Sequence, residues 1–185
     1  MRTFVGGVAA SESRDQSIGV LVSERLAHDA PIEAAQVVVE ELSRNPVQVA
    51  ERLNAEWPPF ERVIFVSAVA RSRPAGTVEA YRWDGEVVPN DEDEDSSPGD
   101  REASLENTLL VAREYGRLPD EIIIVEVEPE VAASGSGVQL SPSATAAVER
   151  ARTLVRRLAT NAQAVAGLPR SALGGKRSVR DQLAD

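Results

Sequence analysis

The run RVIFVSAV, residues 62–69, is apolar at almost every position. A run of this kind is typical of a strand that is buried on both faces, as in parallel sheets covered by helices on both sides. A second run, EIIIVEVEP at 121–129, is the plainest strand pattern in the chain. Two shorter apolar segments, RTFVGGV (2–8) and AAQVVVEEL (34–42), are predicted as further strands.

Helical patterns alternate with these strands. Apolar residues at helical spacing predict a helix over 16–28, with Asp15 as its N-cap. Further helices are predicted from Pro46, over 104–115, and over 142–160 after an N-cap at Ser141. The alternation predicts an α/β fold, a three-layer α/β/α sandwich with a mostly parallel twisted sheet, phosphorylase/hydrolase-like in its general form.

Two segments are predicted to be mobile, one within the domain and one after it. Residues 74–85 are predicted as a turn and a strand at the sheet edge, and the stretch 84–102 that follows contains nine acids and one arginine. This composition predicts a mobile acidic loop over 84–103. Residues 161–185 are predicted as a flexible C-terminal tail, which leaves 1–160 as a single domain.

The composition excludes several classes of protein and site. There is no cysteine and a single histidine, His28, which excludes thiolate metal sites and argues against histidine zinc clusters and a Ser-His-Asp triad. The net charge of −10 argues against nucleic acid as a partner. No stretch approaches the roughly 18 apolar residues that a membrane span needs, and the N-terminus lacks a secretory pattern. These features favour a cytoplasmic protein.

Ligands of open parallel sheets bind beyond the carboxyl ends of the strands. Asp15 and Gln16 follow the first strand, Ser67 ends the run at 62–67, and Glu106 lies in the first turn of the helix at 104–115. Each also has a structural interpretation: Asp15 can cap a helix, Gln16 can be an exposed first-turn residue, and Glu106 can complement the helix dipole. A nucleophilic Ser67 would need His28, about 18 Å away along the first helix.

The chain resembles the hydrogenase maturation proteases, the endopeptidases that trim the C-terminus of the nickel-iron hydrogenase large subunit. The resemblance covers about residues 2–158, and its most persuasive part is LPDEIIIVEVEPE followed by LSPS. The other pieces are VGGVAASESRDQSIGV, RVIFVSAV, PAGTV, SLENTLLVAREYGRLP and LSPSATAAVERA.

The resemblance also assigns metal-ligand positions to this sequence. The family's three ligands, two acids and a histidine, fall on Gln16, Ser67 and Glu106, while the first acid of its opening pair is retained as Asp15. The family's Gly-Asn pair becomes Ala9-Ala10. The resemblance implies no cofactor of the protein's own, because the nickel would be carried by the substrate. An amide and a hydroxyl are poor replacements for carboxylate ligands, so the sequence predicts a degenerate metal site.

Three functional hypotheses follow from the resemblance. The favoured one is a protease-like protein, a pseudoenzyme, that binds the hydrogenase large subunit or its precursor without metal-dependent cleavage. The second is an active endopeptidase with an altered constellation of Asp15, Gln16 and Glu106. The third is a small-molecule binding module that reuses the pocket.

Overall fold

The computed structural model describes residues 1–8, 14–29, 32, 35–42, 45–88, 104–115, 118–130 and 140–174. The predictions for Ala9-Ala10, for 89–103 and for 175–185 lie outside the described residues.

The sheet forms the centre of the fold. Within the described residues it has six strands in the order β2-β1-β3-β5-β4-β6. The pairs β2–β1, β1–β3, β3–β5 and β4–β6 are parallel, and β4 is antiparallel to β5. The strands are β1 (Thr3–Val8), β2 (Val37–Glu41), β3 (Arg62–Ala68), β4 (Val78–Val88), β5 (Glu121–Val127) and β6 (Arg170–Gly174).

Helices cover both faces of the sheet and complete two apolar cores. One core packs the helices α1 (Ile18–Ala27) and α4 (Pro142–Thr160) against Val5, Ile64 and Ile123. The other packs α2 (Pro46–Asn54) and α3 (Leu105–Tyr115) against Phe4, Phe65 and Ile124, which point to the opposite face. This arrangement confirms the predicted three-layer α/β/α class and the strand at 62–69, where every residue of β3 is buried.

Strand β4 corrects two predictions. It lies between β5 and β6 rather than at the edge of the sheet, and it continues to Val88, so residues 84–88 of the predicted acidic loop are strand. Val87 and Val88 pair with Leu173 and Gly174 of β6. The strand continues because a partner from much later in the chain satisfies its backbone, which a local acidic composition does not reveal.

The segment after α4 corrects the prediction of a flexible tail from 161. A short helix α5 (Ala162–Ala166) leads into the edge strand β6. Val165 and Leu173 are completely buried in the two cores. A five-residue helix and a five-residue strand, each with one fully buried side chain, are too short for hydrophobic periodicity to identify.

No helix in the described part of the chain is both long and apolar enough to cross a membrane.

Candidate functional site

A close approach of two backbones places the start of α1 over the carboxyl ends of β1 and β3. A Cβ atom at Gly19 would lie 2.3 Å from the carbonyl oxygen of Val66 and 2.4 Å from that of Val8. A Cβ atom at Gly7 would lie 2.3 Å from the carbonyl oxygen of Gly19. Glycine at both positions therefore brings the loop after β1 to the edge of the sheet where ligands bind in this class of fold.

Asp15 lies in this loop, in a short 3-10 helix (Arg14–Ser17), and it is buried. Its predicted role as the N-cap of α1 is wrong: Ser17 occupies the N-cap position, with no side-chain capping bond. The Asp15 carboxylate instead accepts hydrogen bonds from the amides of Glu130 and Ser141, both at 3.0 Å, and from the Ser141 hydroxyl at 2.7 Å. Asp15 thus joins the loop after β1 to the end of β5 and the start of α4.

Ser141 extends this connection into α4. Its hydroxyl oxygen accepts a hydrogen bond from the amide of Ala144, which confirms Ser141 as the N-cap of that helix. Ser143, the second residue of the helix, donates to the carboxylate of Glu130 at 2.8 Å. Asp15 therefore serves as a structural connector between three chain segments.

Replacing Asp15 with alanine is expected to lower the free energy of unfolding by about 2 kcal/mol. The variant leaves the Glu130 and Ser141 amides without their acceptor in a partly buried position. Urea unfolding measures the loss, with Glu24→Ala on the exposed side of α1 as the control. Equal stability of the two variants would show that Asp15 is not a connector.

The structure describes the side chain of Ser67, but only the backbone of Gln16. Ser67 is buried near the end of β3, and its hydroxyl has a long, 3.4 Å contact with the carbonyl oxygen of Ala68. In the sheet register it pairs with Val8 of β1 on one side and with Glu126 of β5 on the other. The backbone of Gln16 lies in the 3-10 helix beside this edge, and its side chain lies outside what the structure describes.

Glu106 lies in the first turn of α3, as predicted, and its carboxylate is paired with an arginine. Arg71 Nη2 donates to Glu106 Oε1 at 2.8 Å and to Glu126 Oε1 at 3.1 Å. The guanidinium thus joins Glu106 to Glu126, which is the register partner of Ser67 in the sheet. A positive charge already lies between the carboxylates at this edge.

Arg71 belongs to a larger group of charged side chains, which we call the arginine–carboxylate cluster. Two guanidinium groups face four carboxylates within it; its members are Arg71, Arg73, Glu79, Glu106, Glu126 and Glu128. The side chains of Arg71, Glu126 and Glu128 are at most 4% exposed. Charges buried to this extent require partners, and the cluster supplies them.

The segment between the two arginines gives the cluster its geometry. Ser72 has a φ of 61°, a left-handed conformation that is uncommon for a residue other than glycine. The Arg71 amide donates to both carboxylate oxygens of Glu128 at 2.9 Å, and Arg73 Nε donates to the same carboxylate at 3.0 Å. Glu128 thereby fixes the turn that places both guanidinium groups over β5.

The second guanidinium completes the cluster. Arg73 Nη1 donates to Glu79 at 2.8 Å. Arg73 Nη2 lies 3.1 Å from Glu126 Oε2 but forms no hydrogen bond, so this contact is an ion pair without aligned donor geometry. Tyr81 donates its hydroxyl to Glu126 Oε1 at 2.8 Å. Glu126 is therefore in contact with three side chains around its carboxylate.

The charges in the cluster stabilise one another against burial. Burial alone would raise the pKa of Glu126, but the positive charges of Arg71 and Arg73 and the Tyr81 hydrogen bond hold that pKa below its ordinary value. Burial alone would lower the pKa of Arg71, but Glu126 and Glu106 raise it above its ordinary value. Arg71 and Glu126 are consequently both charged at neutral pH.

These residues fit a divalent metal poorly. Glu106, the only carboxylate at the three carried-over ligand positions, already accepts a bond from Arg71. Within the residues that the structure describes, no three histidine, aspartate or glutamate side chains are grouped so that they could hold a metal ion. The carboxyl ends of the strands therefore carry an ordered set of paired charges. Among the described residues of this group there is no imidazole that could act as a base.

Sequence reasoning missed the arginine–carboxylate cluster. A usable signal was present: EVEPE places Glu126 and Glu128 in or beside an apolar strand, and a buried acid requires a cation. The segment RSR at 71–73, two residues after the end of β3, supplies two arginines. Parallel pairing of β3 with β5 brings the two segments to the same edge.

The sequence matches no protein-family model and no curated protein. Solved structures, however, show the same fold. Hydrogenase maturating endopeptidase HybD from E. coli matches with a TM-score of 0.61 and 21% sequence identity, over 84% of this chain and 90% of that chain.

Two further structures agree with this result. An endopeptidase from Escherichia coli matches with a TM-score of 0.62 and 22% identity, over 91% of this chain and 96% of that chain. The [NiFe] hydrogenase maturation protease HybD from Thermococcus kodakarensis matches with a TM-score of 0.57 and 18% identity, over 86% of this chain and 99% of that chain. The chain has the fold of the hydrogenase maturation endopeptidases, which confirms, at the level of the fold, the resemblance found in the sequence.

Proposed function

We propose that this chain is a protease-fold protein that binds the large subunit of a nickel-iron hydrogenase, or its precursor, without metal-dependent cleavage. We propose that the protein acts in the cytoplasm. The partner is suggested by the fold, which is shared with proteins described as hydrogenase maturation endopeptidases. The absence of cleavage is suggested by the side chains at the carboxyl edge of the sheet.

The observation that carries the proposal is the contact between Arg71 and Glu106. Glu106 stands where the resemblance places a metal ligand, and its carboxylate is bound 2.8 Å from a guanidinium nitrogen. A cleavage mechanism that uses the metal to position substrate or polarise a carbonyl requires free ligand atoms facing that metal. Here the charge that a metal would supply is already present in the protein.

An active endopeptidase with an altered constellation is the second candidate, and the contacts of Asp15 argue against it. The Asp15 carboxylate accepts three hydrogen bonds from Glu130 and Ser141. A carboxylate that is buried and occupied in this way cannot act as a general base without giving up the connections of the loop and α4.

The test is to incubate the purified protein with a nickel-loaded large-subunit precursor. We expect the two to elute together in size-exclusion chromatography and the intact mass of the precursor to remain unchanged. A shortened precursor would show that the chain is a protease. Elution of the two proteins separately at micromolar concentrations would show that the proposed partner is wrong.

A matched pair of variants separates the two outcomes. If a shortened precursor appears, Glu106→Gln tests whether cleavage depends on the carboxylate, and exposed Glu114→Gln at the far end of the same helix is the control. Loss of cleavage in Glu106→Gln alone would support the altered catalytic constellation.

A further inference from the structure

The two carboxylates of Glu106 and Glu126 converge on one atom. Both accept from Arg71 Nη2, at 2.8 and 3.1 Å, although they come from the start of α3 and the end of β5. The two residues are far apart in sequence, so it is the fold that brings their two negative charges to a common point. Two carboxylates that share one point can both stay ionised only if a cation lies there.

The guanidinium satisfies this demand for charge but fits the site imperfectly as a hydrogen-bond donor. Arg71 Nη1 is buried and has no hydrogen-bond partner in the described part of the structure. A buried donor without an acceptor is unfavourable. The surroundings of Arg71 therefore favour a positive charge at this position more strongly than they favour the full set of hydrogen-bond donors of an arginine side chain.

We infer that Arg71 excludes divalent cations from this edge of the sheet: its guanidinium occupies the point where Glu106 and Glu126 would otherwise bind one. Removing the guanidinium converts the pair into a divalent-cation site. Two carboxylates together with water suit a hard cation such as Mn²⁺. The inference concerns this chain alone and does not depend on the partner proposed above.

The surroundings of the pair support a site once the guanidinium is gone. Tyr81 donates to Glu126 Oε1 at 2.8 Å and holds that carboxylate in place. The Arg71 amide, which any residue at 71 retains, donates to Glu128 at 2.9 Å and holds the turn. Truncation of the side chain to alanine therefore opens space beside Glu106 and leaves the hydrogen bonds of Glu126 and Glu128 in place.

The test is Mn²⁺ binding by the full chain, followed by electron paramagnetic resonance of the free ion and by thermal unfolding. We expect Arg71→Ala to bind Mn²⁺ at least about tenfold more tightly than the unaltered protein and to gain thermal stability on addition of the ion. Arg71→Lys, which keeps the charge, and Arg71→Met, which fills the space, are expected to show neither effect. Adding Glu126→Gln to Arg71→Ala is expected to abolish the binding.

Three results would overturn the inference. One is Mn²⁺ binding at this edge by the unaltered protein that equals that of Arg71→Ala. Another is the absence of any gain in Arg71→Ala and also in Arg71→Gln, whose amide can still donate to Glu126. The third is failure of both variants to fold even with Mn²⁺ present, because the ion must be able to replace the guanidinium.

Discussion

Replacing Arg71 with methionine is expected to lower the free energy of unfolding at neutral pH by about 3 kcal/mol, the lower end of the range for a broken buried ion pair. Methionine fills most of the space but supplies no charge. Glu106 loses its guanidinium partner, and Glu126 keeps only Arg73 and Tyr81. Urea unfolding at pH 7 measures the loss.

The pH dependence of this loss has a defined sign. Because the pKa of Glu126 in the folded protein lies below its ordinary value of 4.5, its charge stabilises the protein above that pH and ceases to do so as the pH falls through the folded-state pKa. Methionine at 71 removes a charge that lowers this pKa. The difference between the two proteins should therefore shrink as the pH is lowered toward 4.

A double variant provides the control for the ionic explanation. Arg71→Met combined with Glu126→Gln removes a guanidinium and a carboxylate together, and it should recover part of the stability that Arg71→Met loses. If the two changes are instead simply additive, the Arg71–Glu126 contact contributes nothing and the effect of Arg71→Met is one of packing.

Replacing Gly19 with alanine is expected to cost about 3 kcal/mol, the upper end of the usual range for overpacking. The added Cβ would lie within 2.4 Å of the backbone carbonyl oxygens of both Val66 and Val8. Backbone atoms in paired strands cannot move as a flexible side chain can, so α1 must shift away from the sheet. The loop that contains Asp15 would shift with it.

Gly167→Ala is the matched control for this substitution. A Cβ at Gly167 meets no atom within 4 Å, and its φ of −83° suits any residue. We expect Gly167→Ala to leave the urea midpoint unchanged or raise it slightly. A comparable loss in both variants would mean that the close approach of α1 does not limit the substitution.

The fold was largely predictable because its main signals are local. The buried run at 62–69, the helical spacing after Ile18 and the cap at Ser141 each identify an element from neighbouring residues. The extension of β4 to Val88 and the edge strand β6 were not predictable, because each depends on pairing with the other across more than 80 residues. At both segments the local composition instead predicted a mobile loop or tail.

The partners of the candidate site residues were not predictable. Sequence reasoning predicted Asp15 and Glu106 as site residues beyond the carboxyl ends of the strands, but it did not predict the side chains that they contact. Arg71 and Ser141 become partners through the parallel pairing of β3 with β5 and through the path of the chain into α4. The sequence does not distinguish a carboxylate that is free to bind a ligand from one that is already paired with another side chain. Only the residues that surround it in the folded protein make that distinction.

The most direct measurement is a crystal structure of the unaltered protein soaked in Ni²⁺, with diffraction collected at the nickel absorption edge. We expect Arg71 Nη2 to lie within hydrogen-bond distance of Glu106 and Glu126, and no anomalous peak at the carboxyl ends of the strands near Gln16, Ser67 and Glu106. A nickel ion coordinated there, with the Arg71 side chain displaced, would show that Arg71 does not exclude the metal.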